Sequence, residues 1–160
     1  MSQFDRQDPR LGRVRGFSLI ELVVAMCIFG IVSAIAIPSY MNFTRTSNRS
    51  DAIRTLTVNA QALERCYSQT FSYANCTGPT GAAITGGNVG SWTNFTSPQG
   101  YYNIWIWLQT AQNYQMWAGP RTSPQTGDTS CIWFTLDSKG TQGATSNVGQ
   151  NTTQTCWGST

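Results

Sequence analysis

The sequence predicts an α+β protein: one long N-terminal helix, its first half apolar enough to span a membrane, packed on a small antiparallel sheet. Three observations carry this expectation. Residues 17–37 read FSLIELVVAMCIFGIVSAIAI and hold one charge, Glu21. Residues 39–68 stay compatible with helix but become amphipathic. From Tyr101 onward, short segments alternate apolar and polar residues, the period of a strand with one buried face.

The elements follow in chain order. Residues 1–16 are polar and basic, with Pro9, Gly12 and Gly16, and read as a disordered leader. A helix over 17–37 is about 30 Å long at about 1.5 Å per residue, the thickness of a bilayer's hydrocarbon. A secretory signal has a shorter apolar run and is cut after it; here the run is long and Gly16 precedes it. Past Pro38, Ile53, Leu56, Ala60, Leu63 and Tyr67 recur at helical spacing, with Asn48, Arg54, Gln61 and Arg65 assigned to the opposite face. One helix is therefore expected over 18–68. Gly30 and Pro38 are expected to bend or loosen it, because proline removes a backbone donor and crowds the preceding turn.

Residues 69–100, rich in Gly, Thr, Ser, Asn and Pro, read as a long loop. Tyr101–Gln109 reads as a strand with Tyr102, Ile104, Ile106 and Leu108 on one side and Trp105 and Trp107 on the other. Tyr114–Ala118 alternates again, as do Ile132, Phe134 and Leu136 in Cys131–Asp137. Ser138, Lys139 and Gly140 make a turn, and 141–160 reads as a polar tail closing on Cys156 and Trp157.

Composition narrows the function classes. Charged residues make up 11% and the net charge is +3. Arg6, Arg10, Arg13 and Arg15 lie in the leader against Asp5 and Asp8, so the basic character is largely topogenic. Arg121 and Lys139 are the only cations in the second half, too few for a groove that tracks phosphates. A nucleic-acid partner is therefore not expected. Trp105 and Trp107 have rings suited to stacking on bases or sugars, but such pairs more often pack against a neighbouring element or subunit.

The chain has no histidine, and no nucleophile–base arrangement is visible. A non-enzyme without a cofactor is expected. Asp128 and Asp137 are assigned to turns and caps rather than to a calcium site. Zinc requires close ligand pairs of the C-x2-C kind, and the five cysteines form none. Cys27 reads as a small apolar packing residue. Cys66, Cys76, Cys131 and Cys156 lie beyond the apolar run and point to oxidised bridges outside the cytosol. Four cysteines permit three pairings, of which Cys66–Cys76 and Cys131–Cys156 are the local choice. The Asn-x-Ser/Thr triplets at Asn42, Asn94 and Asn151 are expected in a chain this rich in Asn and Thr, and no glycosylation is inferred.

The segment Gly16-Phe17-Ser18-Leu19-Ile20-Glu21 resembles the processing site of type IV pilin precursors and of the related pseudopilins. That pattern is a glycine, an aromatic first mature residue, three mostly apolar positions and a glutamate, followed by an apolar helix and a proline, here Pro38. The resemblance implies that a membrane peptidase cuts after Gly16 and methylates the new amino terminus of Phe17. It also implies that Glu21 and Phe17 serve subunit assembly. Physics agrees: a carboxylate on a membrane helix costs up to about 3 kcal/mol even on lenient scales, so it is kept for a partner. The Phe17 amine of a neighbouring subunit is such a partner, and pairing would also fix axial register.

Further blocks resemble minor pilins of the PilE type. They are Arg45–Ser50, Glu64–Gln69, Thr129–Cys131, Phe134–Gly140 and Cys156-Trp157. The leader is longer than is common in that group, and the family does not require a Cys66–Cys76 bridge. The resemblance implies the type IV pilin fold and the family's C-terminal disulfide loop, here Cys131–Cys156. It divides the chain into a cleaved leader (1–16), a transmembrane and filament-core helix (17–38), the amphipathic half of that helix (39–68) and a globular head (69–160). The implied function is a minor pilin. Its implied partners are other pilin subunits, the prepilin peptidase and an inner-membrane assembly platform. The precursor would sit in the bacterial inner membrane with its N-terminus cytoplasmic, and the mature subunit in an extracellular pilus. A major pilin, a type II secretion pseudopilin and a DNA-uptake pilin are the alternatives.

Overall fold

The computed structural model describes residues 16–74, 76–77, 90 and 92–158. The leader assigned to 1–16 lies outside them except for Gly16, as does most of the segment 77–91. Helix α1 spans Leu19–Thr70, and strands β1 (Trp92–Thr96), β2 (Tyr102–Thr110), β3 (Asn113–Pro120), β4 (Trp133–Asp137) and β5 (Gln142–Thr145) follow, with a short helix α2 (Thr153–Trp157) at the end. The chain divides between Ser39 and Tyr40 into two compact units.

In the first unit the helix is exposed on every side through residues 19–39 and carries large apolar side chains such as Ile20, Val24, Phe29 and Ile35. Helix α1 continues through Gly30 and Pro38 as one element, with Pro38 contributing no backbone donor. Cys27 is a free, exposed thiol on this stretch.

In the second unit five strands form one antiparallel sheet in the order β1-β2-β3-β4-β5. Every neighbour is also the next strand in sequence, so hairpins alone build it. The inward side chains Tyr102, Ile104, Ile106, Leu108, Met116 and Phe134 are buried together with Ala52, Leu56 and Leu63 of α1. The sheet's inner face and one stripe of the helix thus form a single core. The alternation read in Tyr101–Gln109 lies in β2, with Trp105 and Trp107 facing outward.

Four details differ from the sequence expectation. First, Asn48 belongs to the buried stripe of α1, not to its outer face. The stripe also contains Asp51, Thr55 and Asn59, so hydrophobicity alone misplaced it. Asp51, Thr55 and Asn59 are satisfied by hydrogen bonds, whereas the Asn48 amide nitrogen is buried without a partner among the described residues. Thr55 Oγ1 donates to the Asp51 carbonyl (2.6 Å), Asn59 Nδ2 donates to the Thr55 carbonyl (2.8 Å), and the Asp51 carboxylate accepts from Ser97 Oγ.

Second, the region read as a loop over 69–100 holds an edge strand, β1. Its side chains are mostly polar, but an edge strand with one partner needs few apolar residues, and Thr93 and Phe95 suffice on its inner side. Third, the polar tail contains β5 and α2. Gly143 lets β5 lie under Thr135, whose Oγ1 would clash with any Cβ there. Trp157 Nε1 donates to the Gly143 carbonyl (2.8 Å), and Cys156 of α2 is bonded to Cys131. Fourth, β4 begins at Trp133, leaving Ile132 just before it and half-buried.

Turn chemistry sets the hairpins. Gly100 (φ 81°) turns β1 into β2, with Gly100 N donating to the Ser97 carbonyl. Asp137 Oδ1 accepts from the backbone N–H of Lys139 (2.9 Å) and of Thr141 (2.8 Å), pinning the β4–β5 turn.

Candidate functional site

The segment Gly16–Ser18 precedes α1 and is exposed, and the first helical turn carries Glu21. Leu22 N donates to the Ser18 carbonyl (3.2 Å), so the helix grips the chain two residues after Gly16. Phe17 is 83% exposed. Glu21 is exposed and forms no hydrogen bond or ion pair with any described residue. Its placement in the first turn suits the helix dipole. Gly16, Phe17 and Glu21 therefore lie together at one end of a helix whose next five turns present only apolar or small surface, and Glu21 has no partner among the described residues.

Besides the Asp51–Ser97 contact, further polar contacts fasten the head to the second half of α1, most of them between residues far apart in sequence. Arg49 grips Asp128 with both arms, Nε to Oδ2 at 2.7 Å and Nη2 to Oδ1 at 2.9 Å. The Asp128 side chain is 3% exposed and also accepts from Ser130 N and Cys131 N. Burial pushes its carboxyl upward, but the Arg49 guanidinium and the two N–H groups outweigh that and hold it below the usual carboxylate range. Next to it, Arg45 Nε donates to the Pro124 carbonyl (3.2 Å), and its guanidinium lies where a Cβ on Gly127 would be. At the far end of the helix, Tyr73 OH (2.9 Å) and Tyr114 OH (3.2 Å) both donate to Glu64 Oε1. Burial, then the neighbouring carboxylate, raises both phenols above their ordinary value.

The disulfides are Cys66–Cys76 and Cys131–Cys156, with Cα atoms 5.9 Å and 5.8 Å apart. The first ties the end of α1 to the residues after it; the second ties α2 to the approach to β4. Asp128 and Asp137 are taken up by Arg49 and by the β4–β5 turn. Among the described residues no three His, Cys, Asp or Glu side chains gather as metal ligands do.

The outer face of the sheet carries a feature that sequence reasoning saw only in part. Trp105 and Trp107 are joined there by Trp92, Trp117 and Trp133. Trp92 stacks on Trp107 with centroids 5.4 Å apart and planes 3° from parallel, and Trp105 meets Trp133 at 5.5 Å. The missed signal was parity: Trp92, Trp117 and Trp133 each alternate with inward residues, as Trp105 and Trp107 do.

Comparison with known proteins settles the family. A family model described as "Type IV minor pilin ComP, DNA uptake sequence receptor" matches residues 38–135. The chain belongs to the ComP family of type IV minor pilins. The prokaryotic N-terminal methylation motif matches residues 11–37. The chain is also similar to the type IV major pilin protein PilA of Myxococcus xanthus, 37% identical over 48% of this chain and 34% of that one. Prepilin peptidase-dependent protein D of Escherichia coli is 37% identical over 42% of this chain and 47% of its own. A FimA type IV major fimbrial protein of Dichelobacter nodosus is 33% identical over 52% and 54% respectively. The chain thus spans about a third to a half of the length of these relatives. As a type IV pilin of the ComP family it has the long apolar helix of a membrane-anchored precursor, and the α+β head is the pilin fold.

Proposed function

We propose that this pilin is a minor subunit held in the inner membrane as a precursor, cleaved after Gly16, methylated on Phe17 and then packed into a pilus. One observation carries the reading. Glu21 sits on an apolar helix with no partner among the described residues, four residues from the residue that gains a cationic amine on cleavage. In a helical polymer the Phe17 amine of an adjacent subunit neutralises it, and slippage leaves both charges unpaired in a medium of low dielectric. Gly30 and Pro38 are proposed as the points where the packed helix bends. Partners on this reading are other pilins, the prepilin peptidase and an inner-membrane platform. The role is structural rather than enzymatic.

The test pairs two readouts. Mass spectrometry of wild-type pili finds a subunit beginning with a methylated Phe17. Glu21→Ala leaves cleavage intact but removes the subunit from sheared pili, whereas Glu21→Asp retains part of the incorporation. Undiminished incorporation of Glu21→Ala, or residues 1–16 still attached in the polymer, overturns the proposal.

The match over residues 38–135 favours a second reading, in which the head contacts DNA as the matched family's description says of its receptor. The exposed cations of the described head are Arg54, Arg65, Arg121 and Lys139. A gel shift of duplex DNA by the full chain at low salt tests it, and no retardation there removes this reading.

A further inference from the structure

We propose that the tryptophan face of the sheet is a binding site for a neutral glycan built of equatorially linked pyranose rings. The proposal goes beyond filament assembly and does not depend on it.

The site has a shape. Trp92, Trp107 and Trp117 form one cluster, with Trp92 and Trp117 centroids 5.3 Å apart, and Trp105 and Trp133 form a second. A cavity of about 550 Å³ lies against both clusters, lined by Trp92, Trp105, Trp117, Trp133, Thr135 and Thr145. That volume falls in the ordinary range for small-molecule sites. The walls are built, not accidental. Gly119 leaves the space that the Trp133 ring occupies, since a Cβ there would lie 2.5 Å from the ring. Gly143 likewise makes room for the Thr135 hydroxyl.

Stability does not explain five outward tryptophans. The core is completed by the inner face, and Trp92 remains 58% and Trp133 41% exposed. Threonine or valine would serve an outer strand face as well without exposing large rings to water. Of the head's six tryptophans, only Trp157 donates its indole N–H to another described residue. The five outward rings and the Thr135 and Thr145 hydroxyls form no side-chain hydrogen bond with any other described residue.

These groups select a chemistry. An equatorially linked pyranose has flat C–H faces that lie on indole rings and a rim of hydroxyls that need donors and acceptors. Indole N–H groups and threonine hydroxyls supply them. A purely aliphatic ligand would leave those hydroxyls unmatched. A polyanion needs cations, yet no lining residue is charged, and the only charged side chain in the five strands is an anion, Asp137.

The experiment titrates the full chain, held in a non-glycosidic detergent, with cellohexaose and with chitohexaose while following tryptophan fluorescence. At least one sugar is expected to give a saturable change that salt does not weaken. Trp133→Ala and Trp92→Ala weaken it about tenfold or more, and Trp133→Phe retains most of it. Trp92 lies on an edge strand, so its variant reports even if Trp133→Ala fails to fold. No saturable change with either sugar at millimolar concentration overturns the proposal, as does binding unaffected by both alanine variants. Tryptophan-dependent binding of a single-stranded oligothymidylate in place of sugar assigns the face to DNA and overturns it. Self-association of the chain that Trp133→Ala abolishes assigns the face to a second copy, with the same consequence.

Discussion

Arg49 and Asp128 lie 79 residues apart and form the salt bridge between the helix and the head among the described residues. With Arg49 removed, Asp128 keeps its two N–H donors but loses the charge that makes its burial tolerable. Arg49→Ala is expected to cost about 3 kcal/mol, and Arg49→Lys less, because lysine keeps the charge but not the fork. A denaturant melt followed by near-ultraviolet circular dichroism reads both. The same pair gives a pH dependence. The folded-state pKa of Asp128 is below its unfolded value. Its contribution is therefore complete above about pH 5 and is lost as pH falls below about 4 and through the folded value. Arg49→Ala should flatten that acid limb. Nothing in residues 45–50 or 128–131 announces this pairing, because an ion pair across such a separation has no periodicity. The buried polar residues Asp51, Thr55 and Asn59 were hidden for a related reason: each looks solvent-facing until its partner is known. Tyr102 behaves similarly, its phenol pushed up to about 12 chiefly by burial, while Gln125 lies within hydrogen-bonding distance at 2.6 Å.

Elements with strong alternation were legible at once. β2, β3 and most of β4 carry large residues inward, and the sheet needed no help from elsewhere to reveal them. β1, β5 and α2 were not legible. A strand of Gln, Gly, Ala and Thr has little intrinsic preference for extension, and it exists because β4, Trp157 and the Cys131–Cys156 bridge hold it in place. That bridge and the other close loops of different length, with separations of 25 and 10 residues. Loop entropy alone predicts that Cys131→Ser with Cys156→Ser costs about 3.5 kcal/mol, against about 2.7 for Cys66→Ser with Cys76→Ser. Thermal melts of the two double variants check the order. A larger loss from the shorter loop would show that native strain or contacts, not chain entropy, decide it.

At the scale of the whole molecule, charge and hydrophobicity are distributed by region. Residues 19–39 are apolar and exposed, and the strands of the head carry one charged side chain. The six cations of residues 40–160 face four acids. Arg49 is paired and Arg45 is engaged with a carbonyl. Four exposed cations spread over the head neutralise about two or three phosphates, so any DNA complex should weaken with a log–log salt slope of about −2 to −3. Gel shifts across a salt series measure that slope, and a much steeper one would reveal a basic track formed with another subunit.

The sequence by itself determined the long apolar helix, the motif Gly16–Glu21 that opens it, and the inward faces of the central strands. These depend on local periodicity and on neighbours within a few residues. Tertiary structure alone decided that Arg49 meets Asp128, that a short stretch of a segment rich in glycine and polar residues becomes an edge strand, and that five tryptophans from four strands share one face. Those outcomes depend on which distant segments are brought together, and one strand's parity does not fix its neighbour's register until the hairpins close.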